Sequence, residues 1–230
     1  MKHKTILITG ASRGLGLALA RHWQGDNCVI GLARTRPEQL GPDARFYCCD
    51  LADAQETTRV MQRVARDFPK IDLLVNNAAI LTSLPLGIMK ADDIGRMIDV
   101  NLKAPILISK AMFRKMIQSK SGQIVNILSM APKLSVVGDS VYAATKSGLE
   151  AFSRVLNKEG HPFGVHVNNI GLSAFPSGML DQILGDHADK VLGLIPHKQF
   201  APLREIVAAI EFFEANSCDI GGQTLYFGGV

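Results

Sequence analysis

The sequence lacks the features that mark membrane-spanning, metal-binding and disulfide-stabilised proteins. No apolar run approaches the roughly 18 residues that a membrane-spanning helix requires, so we expect no membrane partner. The cysteines lie within or beside predicted strands and show neither a CxxC motif nor Cys/His ligand spacing: Cys28, Cys48, Cys49 and Cys218. We therefore expect no metal site, buried thiols, and a reducing compartment, the cytoplasm.

Strong charge of either sign is also missing. The formal net charge is +4, and the basic residues are scattered without the interleaved aromatic residues of a nucleic-acid-binding surface. We therefore exclude nucleic acid as a partner. A mild positive field suits anionic small molecules or an acidic carrier protein. The amino terminus is basic, but its apolar run is too short for a secretory signal.

What the chain does contain is a regular alternation of strand and helix patterns. Short apolar runs predict strands at residues 4–9, 28–33, 44–51, 71–79, 123–129, 165–170 and 224–227. Helical patterns lie between most of them. This alternation predicts an α/β fold with one doubly wound parallel sheet of about seven strands and helices on both faces. A length of 230 residues suits a single domain over residues 1–230.

The first predicted strand ends in a glycine-rich turn, GASRGLG. Gly10 permits a tight turn, Gly14 lets backbone amides approach a pyrophosphate, and Gly16 allows the next helix to pack closely on the strand. The N-terminus of that helix then faces the anion. We therefore predict a dinucleotide site that includes Gly10, Ser12, Arg13, Gly14, Leu15 and Gly16.

The residues after the second predicted strand indicate which dinucleotide binds. An acidic residue there accepts hydrogen bonds from the ribose hydroxyls and favours NAD. Here the strand ends at Ala33, Arg34 follows, Arg36 lies just beyond, and Arg13 contributes another guanidinium from the glycine turn. Two arginines near the ribose favour a 2′-phosphate, because each guanidinium can bind the phosphate oxygens bidentately. We therefore predict NADP(H). The alternative is that these arginines are solvated loop residues that bind no cofactor.

Polar residues mark the ends of later strands. Asp50 ends the third strand, where its carboxylate is within reach of the adenine amino group, and Asn76 and Asn77 follow the fourth. An open parallel sheet places its ligand crevice at these ends, although asparagines there also bond the backbone. Asn101 lies among apolar residues in a long helical pattern, residues 91–117, that is interrupted at Pro105. It must find buried partners, and it marks a kink, a water site, or both.

The chemistry is expected to centre on Tyr142 and Lys146. A spacing of four places both on one helix face, with the ammonium beside the phenol, and a neighbouring cation lowers the phenol pKa. We predict that Tyr142 donates a proton and that Ser129, at the end of the fifth strand, presents its hydroxyl to the same substrate oxygen. The alternative is a surface helix with an ordinary i,i+4 pair. The buried stripe of this helix is predicted to be Val141, Ala144, Leu149, Phe152 and Val155.

Together these motifs resemble the short-chain dehydrogenase/reductase family across nearly the whole chain. The matching pieces are TGASRGLG at 9–16, NNAA at 76–79, Asn101, Ser129, YAATK at 142–146 and the segment at 221–223. The resemblance implies a Rossmann fold and hydride transfer between a nicotinamide cofactor and a carbonyl or alcohol. The chain looks most like the 3-oxoacyl-carrier-protein reductases and related ketoreductases, which prefer NADPH.

The resemblance also assigns roles by position. Tyr142 looks like the general acid, Lys146 lowers its pKa and holds the nicotinamide ribose, and Ser129 polarises the carbonyl. Asn101 resembles the asparagine that supports a water in the proton relay. Further cofactor contacts are implied at Asp50, Leu51, Asn77, Ala78, Phe175 and Ser177. The family resemblance also implies a homotetramer or homodimer.

The chain departs from the family pattern after the sixth strand. A Pro-Gly pair usually follows there, and here the matching residues are Leu172 and Ser173. The irregular segment at 171–203 is expected to form a substrate lid. Lys120 aligns with a basic position that contacts the carrier protein, and a solvated side chain is the simpler interpretation. Two alternatives stay open: an NAD(P)+-dependent alcohol dehydrogenase or epimerase, and a non-catalytic NADP-binding regulatory protein.

Overall fold

A computed structural model describes residues 1–41, 44–173, 193, 196–216 and 220–228 of the protein. Its strands are β1 (Thr5–Thr9), β2 (Cys28–Ala33), β3 (Arg45–Cys48), β4 (Leu73–Asn76), β5 (Gly122–Ser129), β6 (Val165–Leu172) and β7 (Thr224–Phe227). The helices are α1 (Gly14–Trp23), α2 (Ala54–Asp67), α3 (Ala91–Ile98), α4 (Ala104–Ser119), α5 (Ala131–Leu134), α6 (Ser140–Gly160) and α7 (Leu203–Ala215). Every predicted strand is present, the third and fourth being shorter than predicted.

In the described residues the strands form one seven-stranded sheet in the order β3-β2-β1-β4-β5-β6-β7. Every neighbouring pair is parallel. The chain therefore begins at the middle of the sheet and winds outward in both directions, which confirms the predicted doubly wound fold. All strands end at one edge, called here the carboxyl edge, and the winding changes direction between β1 and β4. Sheets of this kind bind ligands in the crevice at that point.

Helices cover both faces of the sheet. On one face α1 and α7 pack through Leu19, Trp23, Ile210 and Phe213, and the Trp23 indole N–H donates to Glu211 Oε1 at 3.0 Å, which ties these helices together. The other face is covered mainly by α2, α4 and α6. Because both faces are buried, β1, β2 and β4 are nearly continuous apolar runs rather than alternating ones.

A ladder of polar side chains crosses four strands on the face covered by α6. Asn76, Asn126, Asn169 and Thr224 occupy matching positions on β4, β5, β6 and β7. Successive donor–acceptor distances along this row are 2.7, 3.3 and 3.1 Å. These amides find their partners in only one alignment of the strands, in addition to the constraint that the buried apolar side chains impose. The ladder therefore fixes the register of the sheet.

The long helical pattern predicted at 91–117 is divided. It consists of α3, a π-helical turn at Asp99–Lys103, and α4. Pro105 has no N–H to donate to the carbonyl of Asn101, four residues earlier, so the preceding turn widens. The predicted kink is therefore present, and it places Asn101 in the widened turn, where the residue is fully buried.

The predicted buried stripe of α6 needs correction. Leu149 is buried as predicted, but Ala144 and Val155 are exposed, and Val141 and Phe152 are only half-buried. The other buried residues of the helix are Thr145, Lys146, Ser153, Leu156 and Gly160. The reason is the polar ladder beneath this helix, because the Asn126 amide donates to the Ser153 hydroxyl at 2.8 Å. A helix that packs on polar groups does not display its buried face as an apolar stripe.

The prediction of buried cysteines is also partly wrong. Cys49 is buried, but Cys28 and Cys48 are exposed. Cys28 is the first residue of β2, and Cys48 is the last residue of β3, the edge strand of the sheet. Cys218 lies outside the described residues, as do Phe175, Ser177 and most of the expected lid at 171–203. None of the helices in the described part of the chain is long and apolar enough to cross a membrane.

Candidate active site

The glycine turn after β1 has the geometry of a close backbone approach. Gly10 and Gly14 have φ angles of +70° and +55°, a region that side chains disfavour. The Gly10 amide donates to the Leu32 carbonyl at 2.7 Å, which joins the turn to the end of β2. A side chain at Gly16 would collide with the carbonyl oxygen of Gly10. Glycine is therefore required at each of these three positions.

The N-terminus of α1 is open for an anion. Among the described residues no side chain caps this helix, which begins after Arg13. The contrast is α2, where the Asp53 carboxylate accepts from the backbone amides of Gln55 and Glu56. The amides of the first turn of α1 therefore keep their donor capacity, and the helix dipole favours a negative group there. This turn suits a pyrophosphate.

Thr9 joins β1 to the loop that follows β4, and the sequence analysis did not single it out. Its hydroxyl accepts from the backbone amides of Asn77 and Ala78, each at 3.0 Å. The Asn77 side chain returns a hydrogen bond to the Thr9 carbonyl at 2.9 Å. These bonds hold Asn77 and Ala78 next to the glycine turn. The two residues thus border the crevice on the side opposite α1. The available signal was a hydroxyl residue at the end of an otherwise apolar strand.

The arginines near the end of β2 have different surroundings. Arg36 donates to the carbonyls of Gly41 and Ala44, at 3.0 and 3.1 Å, and so braces its own loop. Arg34 and Arg13 are exposed, one directly after β2 and the other in the glycine turn. Because that turn bonds to the end of β2, both guanidinium groups belong to the same part of the carboxyl edge.

Asp50 has a partner that the sequence did not reveal. Its carboxylate accepts from the Arg96 guanidinium at 3.2 Å and from the backbone amide of Ala52 at 3.0 Å. The side chain remains 38% exposed, so the carboxylate can still accept another hydrogen bond. The following residue, Leu51, is buried. Arg96 thus holds Asp50 in place beside the crevice.

Ser129, Tyr142 and Lys146 meet at the carboxyl edge. Lys146 is only 3% exposed, and its ammonium lies 5.7 Å from the centre of the Tyr142 ring. The ammonium donates to the Ile127 carbonyl of β5 at 2.8 Å. The Ser129 hydroxyl accepts from the Ala131 amide at 3.0 Å, so its own hydrogen is free to point toward the phenol or a substrate oxygen.

The titration behaviour of the pair differs from the expectation. Burial raises the pKa of Tyr142 to about 12, and a hydrogen bond from Ser129 opposes this rise. Burial lowers the pKa of Lys146 to about 8. The prediction that Lys146 lowers the phenol pKa is therefore not met in the ligand-free protein. Loss of water is the largest cause of both shifts. Near neutral pH the phenol is protonated, which is the form that a proton donor needs.

Asn101 connects two parts of the site. Its amide accepts from the backbone N–H of Ile80 and donates to the carbonyl of the same residue, both at 2.8 Å. The amide nitrogen also lies 3.4 Å from the Thr145 hydroxyl, which donates to the Tyr142 carbonyl at 2.7 Å. The loop after β4 is thereby joined to the helix that carries Tyr142.

Lys120 does not lie near these groups. It directly follows α4 and lies two residues before the start of β5, whereas Ser129 is the last residue of that strand. At about 3.3 Å per residue the strand separates them by more than about 20 Å. The position of Lys120 therefore gives no support to a carrier contact at the mouth of the site.

The unusual Leu172 extends β6. It pairs with Ser129 on one side and with Phe227 on the other, and it is buried. Ser173 follows, and its buried hydroxyl has no hydrogen-bond partner among the described residues. The chain therefore continues as regular strand up to Leu172.

The fold and these side chains define a class of protein. A doubly wound sheet with an open phosphate turn, beside a serine, a tyrosine and a lysine, is the arrangement of a nicotinamide-dependent oxidoreductase. The family model described as short chain dehydrogenase matches residues 4–187. The chain belongs to this family, whose members are oxidoreductases that bind a nicotinamide cofactor, and the resemblance found in the sequence is confirmed.

Known relatives agree over nearly the whole chain. The 3-oxoacyl-acyl-carrier-protein reductase FabG of Buchnera aphidicola subsp. Baizongia pistaciae is 31% identical, over 98% of this chain and 96% of its own. FabG of Escherichia coli K12 is 30% identical over the same shares. A solved structure of a short chain dehydrogenase/reductase family protein has a TM-score of 0.85 and 30% identity, and the match covers 99% of this chain and 97% of that chain.

Proposed function

We propose that the protein is an NADPH-dependent carbonyl reductase in which Tyr142 is the general acid. The observation that carries this proposal is the meeting of Ser129, Tyr142 and Lys146 at the carboxyl edge, beside a turn that is open for a phosphate. A hydroxyl and a protonated phenol directed at one place suit an oxygen that gains negative charge during reaction.

The residues of the crevice fit a dinucleotide. The positive φ angles of the glycines and the uncapped start of α1 favour a pyrophosphate. When bound, the cofactor supplies the hydride. We assign its contacts to Gly10, Ser12, Arg13, Gly14, Leu15, Gly16, Arg34, Asp50, Leu51, Asn77, Ala78, Tyr142 and Lys146. The proposed contacts at Phe175 and Ser177 lie outside the described residues.

The preference for NADP(H) rests on Arg13 and Arg34. Both are exposed at the part of the carboxyl edge where the ribose of a dinucleotide lies in this fold. β2 is followed by Arg34 rather than by a carboxylate, which would repel a 2′-phosphate.

The side chains divide the chemistry among them. Reduction adds a hydride to the carbonyl carbon and a proton to the oxygen, which yields an alcohol. Tyr142 gives the proton, and Ser129 holds the same oxygen by a hydrogen bond. Lys146 holds the cofactor ribose and helps to return a proton to the phenol. Asn101 supports a water in that relay, and its bonds to Ile80 keep the widened turn in place.

The substrate is a ketone, and the names of the relatives make carrier-bound 3-oxoacyl groups the first compounds to assay. We also propose a single domain over residues 1–230 that works in the cytoplasm as a homodimer or homotetramer. Exposed apolar side chains support self-association: Ile98, Val155, Phe212 and Leu225 are between 42% and 59% exposed.

The test is the rate of NADPH oxidation by the Tyr142→Phe variant with a panel of free and carrier-bound ketones. We expect kcat to fall at least about 100-fold while the Kd for NADPH stays nearly constant, because only the proton donor is removed. Tyr47→Phe is the matched control, since the Tyr47 hydroxyl bonds to Asp67 at the surface.

Three results separate the alternatives. Unchanged turnover in Tyr142→Phe contradicts the assignment of the acid. Activity confined to alcohols with an oxidised cofactor favours the dehydrogenase or epimerase reading. NADPH binding without turnover of any ketone favours a regulatory protein.

A further inference from the structure

Asp139 is a buried carboxylate beside the proposed proton donor, and the reaction described above does not use it. It immediately precedes α6, and the residue is only 7% exposed. The Oδ1 atom has no hydrogen-bond partner among the residues that the structure describes. An aspartate before a helix commonly accepts from the first-turn amides, as Asp53 does at α2. Asp139 makes no such bond.

The backbone explains why this carboxylate is not a helix cap. Asp53 has the extended backbone typical of caps, whereas Asp139 has φ −101° and ψ 17°. The Asp139 carbonyl already accepts from the Ala143 amide at 2.7 Å, as part of the helix. The side chain therefore makes no bond to the amides of the first turn, and its buried Oδ1 keeps its capacity to accept a hydrogen bond.

The carboxylate lies on the same side of α6 as the reacting groups. Asp139, Tyr142 and Lys146 are spaced by three and four residues, so they form one row along the helix. Lys146 is at the cofactor end of the row, Tyr142 is in the middle, and Asp139 is about 4.5 Å further along the axis. The Asp139 charge also raises the pKa of Tyr142, after the larger effect of burial. Because the proposed reaction assigns Lys146 to the cofactor, Asp139 lies on the opposite side of the phenol from the cofactor contact.

A neighbouring loop closes over this end of the row. The backbone amide of Leu84 donates to the Gly138 carbonyl at 3.1 Å, which joins the loop after β4 to the residue before Asp139. This bond accounts for part of the burial of a group that water would otherwise solvate. A buried carboxylate oxygen without a donor is unfavourable, because nothing replaces the water that it has lost. A hydrogen-bond donor on a bound substrate removes that cost.

We infer that Asp139 binds a hydroxyl group of the substrate, next to the carbonyl that Tyr142 and Ser129 hold. This inference rests on the proposed ketone reduction and narrows it to α- and β-hydroxy ketones. Tyr142 and Asp139 are neighbours on one helix face. A substrate with a hydroxyl one or two carbons from its carbonyl can therefore contact both side chains. A 3-oxoacyl thioester carries no such donor and leaves the carboxylate unpaired. An ammonium would enter a site that already holds the Lys146 cation.

The test compares substrates that differ only by hydroxyl and methyl. Hydroxyacetone and butanone form one such pair, and a β-hydroxy ketone with its methyl analogue forms another. For the wild-type enzyme with NADPH we expect kcat/KM to favour the hydroxyl member at least about 10-fold. In Asp139→Leu this ratio should fall about 10- to 100-fold, because a hydrogen bond to a charged group is lost. Asp139→Asn should lie between them.

Controls separate this role from a structural one. Asp92→Asn, on the exposed start of α3, should keep the wild-type ratio. Both Asp139 variants should bind NADPH with the wild-type Kd. Their urea midpoints should match or exceed that of wild type, since an unpaired carboxylate stabilises nothing.

Each outcome has one meaning. A wild-type ratio near one, or a ratio that Asp139→Leu leaves unchanged, overturns the inference while the ketone reductase stands. A stronger preference for aminoacetone, lost in Asp139→Leu, assigns the site to an ammonium and overturns the hydroxyl. A wild-type enzyme that reduces no ketone contradicts the proposed function itself.

Discussion

Replacing Lys146 with methionine should stabilise the ligand-free protein while it abolishes activity. Lys146 is 3% exposed, and among the described residues its ammonium has one hydrogen bond, to the Ile127 carbonyl. Burial lowers its pKa from 10.5 to about 8. One pKa unit corresponds to about 1.4 kcal/mol, so burying the charged ammonium costs about 3 kcal/mol of folding free energy. Methionine has a similar length and carries no charge.

The pH dependence isolates this cost from the lost hydrogen bond. The unfolded lysine holds its proton up to pH 10.5, and the folded one only up to about pH 8. Between these values the unfolded state binds the extra proton, so wild-type stability rises with pH. Below about pH 8 both states are protonated and the full cost is present. The advantage of Lys146→Met should therefore be about 3 kcal/mol larger near neutral pH than above pH 10.5.

The assay is urea unfolding at fixed protein concentration, followed by the fluorescence of the single tryptophan, Trp23, which is buried. Lys110→Met is the control, because Lys110 is exposed on α4. Its effect should not change between the two pH values. The reasoning is refuted if the stability difference between Lys146→Met and wild type is as independent of pH as that of the Lys110→Met control. Such a result would show that the native ammonium is not desolvated.

Two further predictions concern the cofactor and the sheet. Arg34→Asp should raise the KM for NADPH at least about 10-fold, because a charged hydrogen bond to phosphate is lost, while the KM for NADH should stay the same or decrease. Arg21→Asp, on the exposed end of α1, should change neither KM. An unaltered preference for NADPH in Arg34→Asp would exclude a role of Arg34 in binding the 2′-phosphate. Asn126→Leu should lower the free energy of unfolding by about 3 kcal/mol in urea, because it removes bonds to Asn76, Ser153 and Asn169. The exposed Asn216→Leu should cost less than about 1 kcal/mol, and an equally small loss in Asn126→Leu would contradict the role of the ladder.

Much of the fold was predictable because its signals are local. A glycine turn between an apolar strand and a helix, and apolar runs at regular intervals, require only neighbouring residues to be interpreted. The kink near Pro105 was predictable for the same reason, since the missing N–H acts four residues away. The spacing of Tyr142 and Lys146 likewise needed only the period of a helix.

The errors arose where distant residues meet. The buried face of α6 was mispredicted because Ser153 packs on Asn126, a strand residue, and polar groups that satisfy each other lie inside. Thr9 was missed because its partners, Asn77 and Ala78, are 68 and 69 residues away. No sequence pattern announces a hydrogen bond of that span.

The candidate site shows the same division. The sequence by itself determined which reacting groups are present and in what order along the chain, because helix period and strand ends fix Ser129, Tyr142 and Lys146 relative to the backbone. Only the tertiary structure decided how these groups titrate. Burial by the surrounding chain raises the pKa of Tyr142 and lowers that of Lys146, the reverse of what a solvated pair would do. It also decided that Asp139 is buried with no hydrogen-bond partner for its Oδ1 in the described part of the chain, beside a loop from another strand that bonds to Gly138.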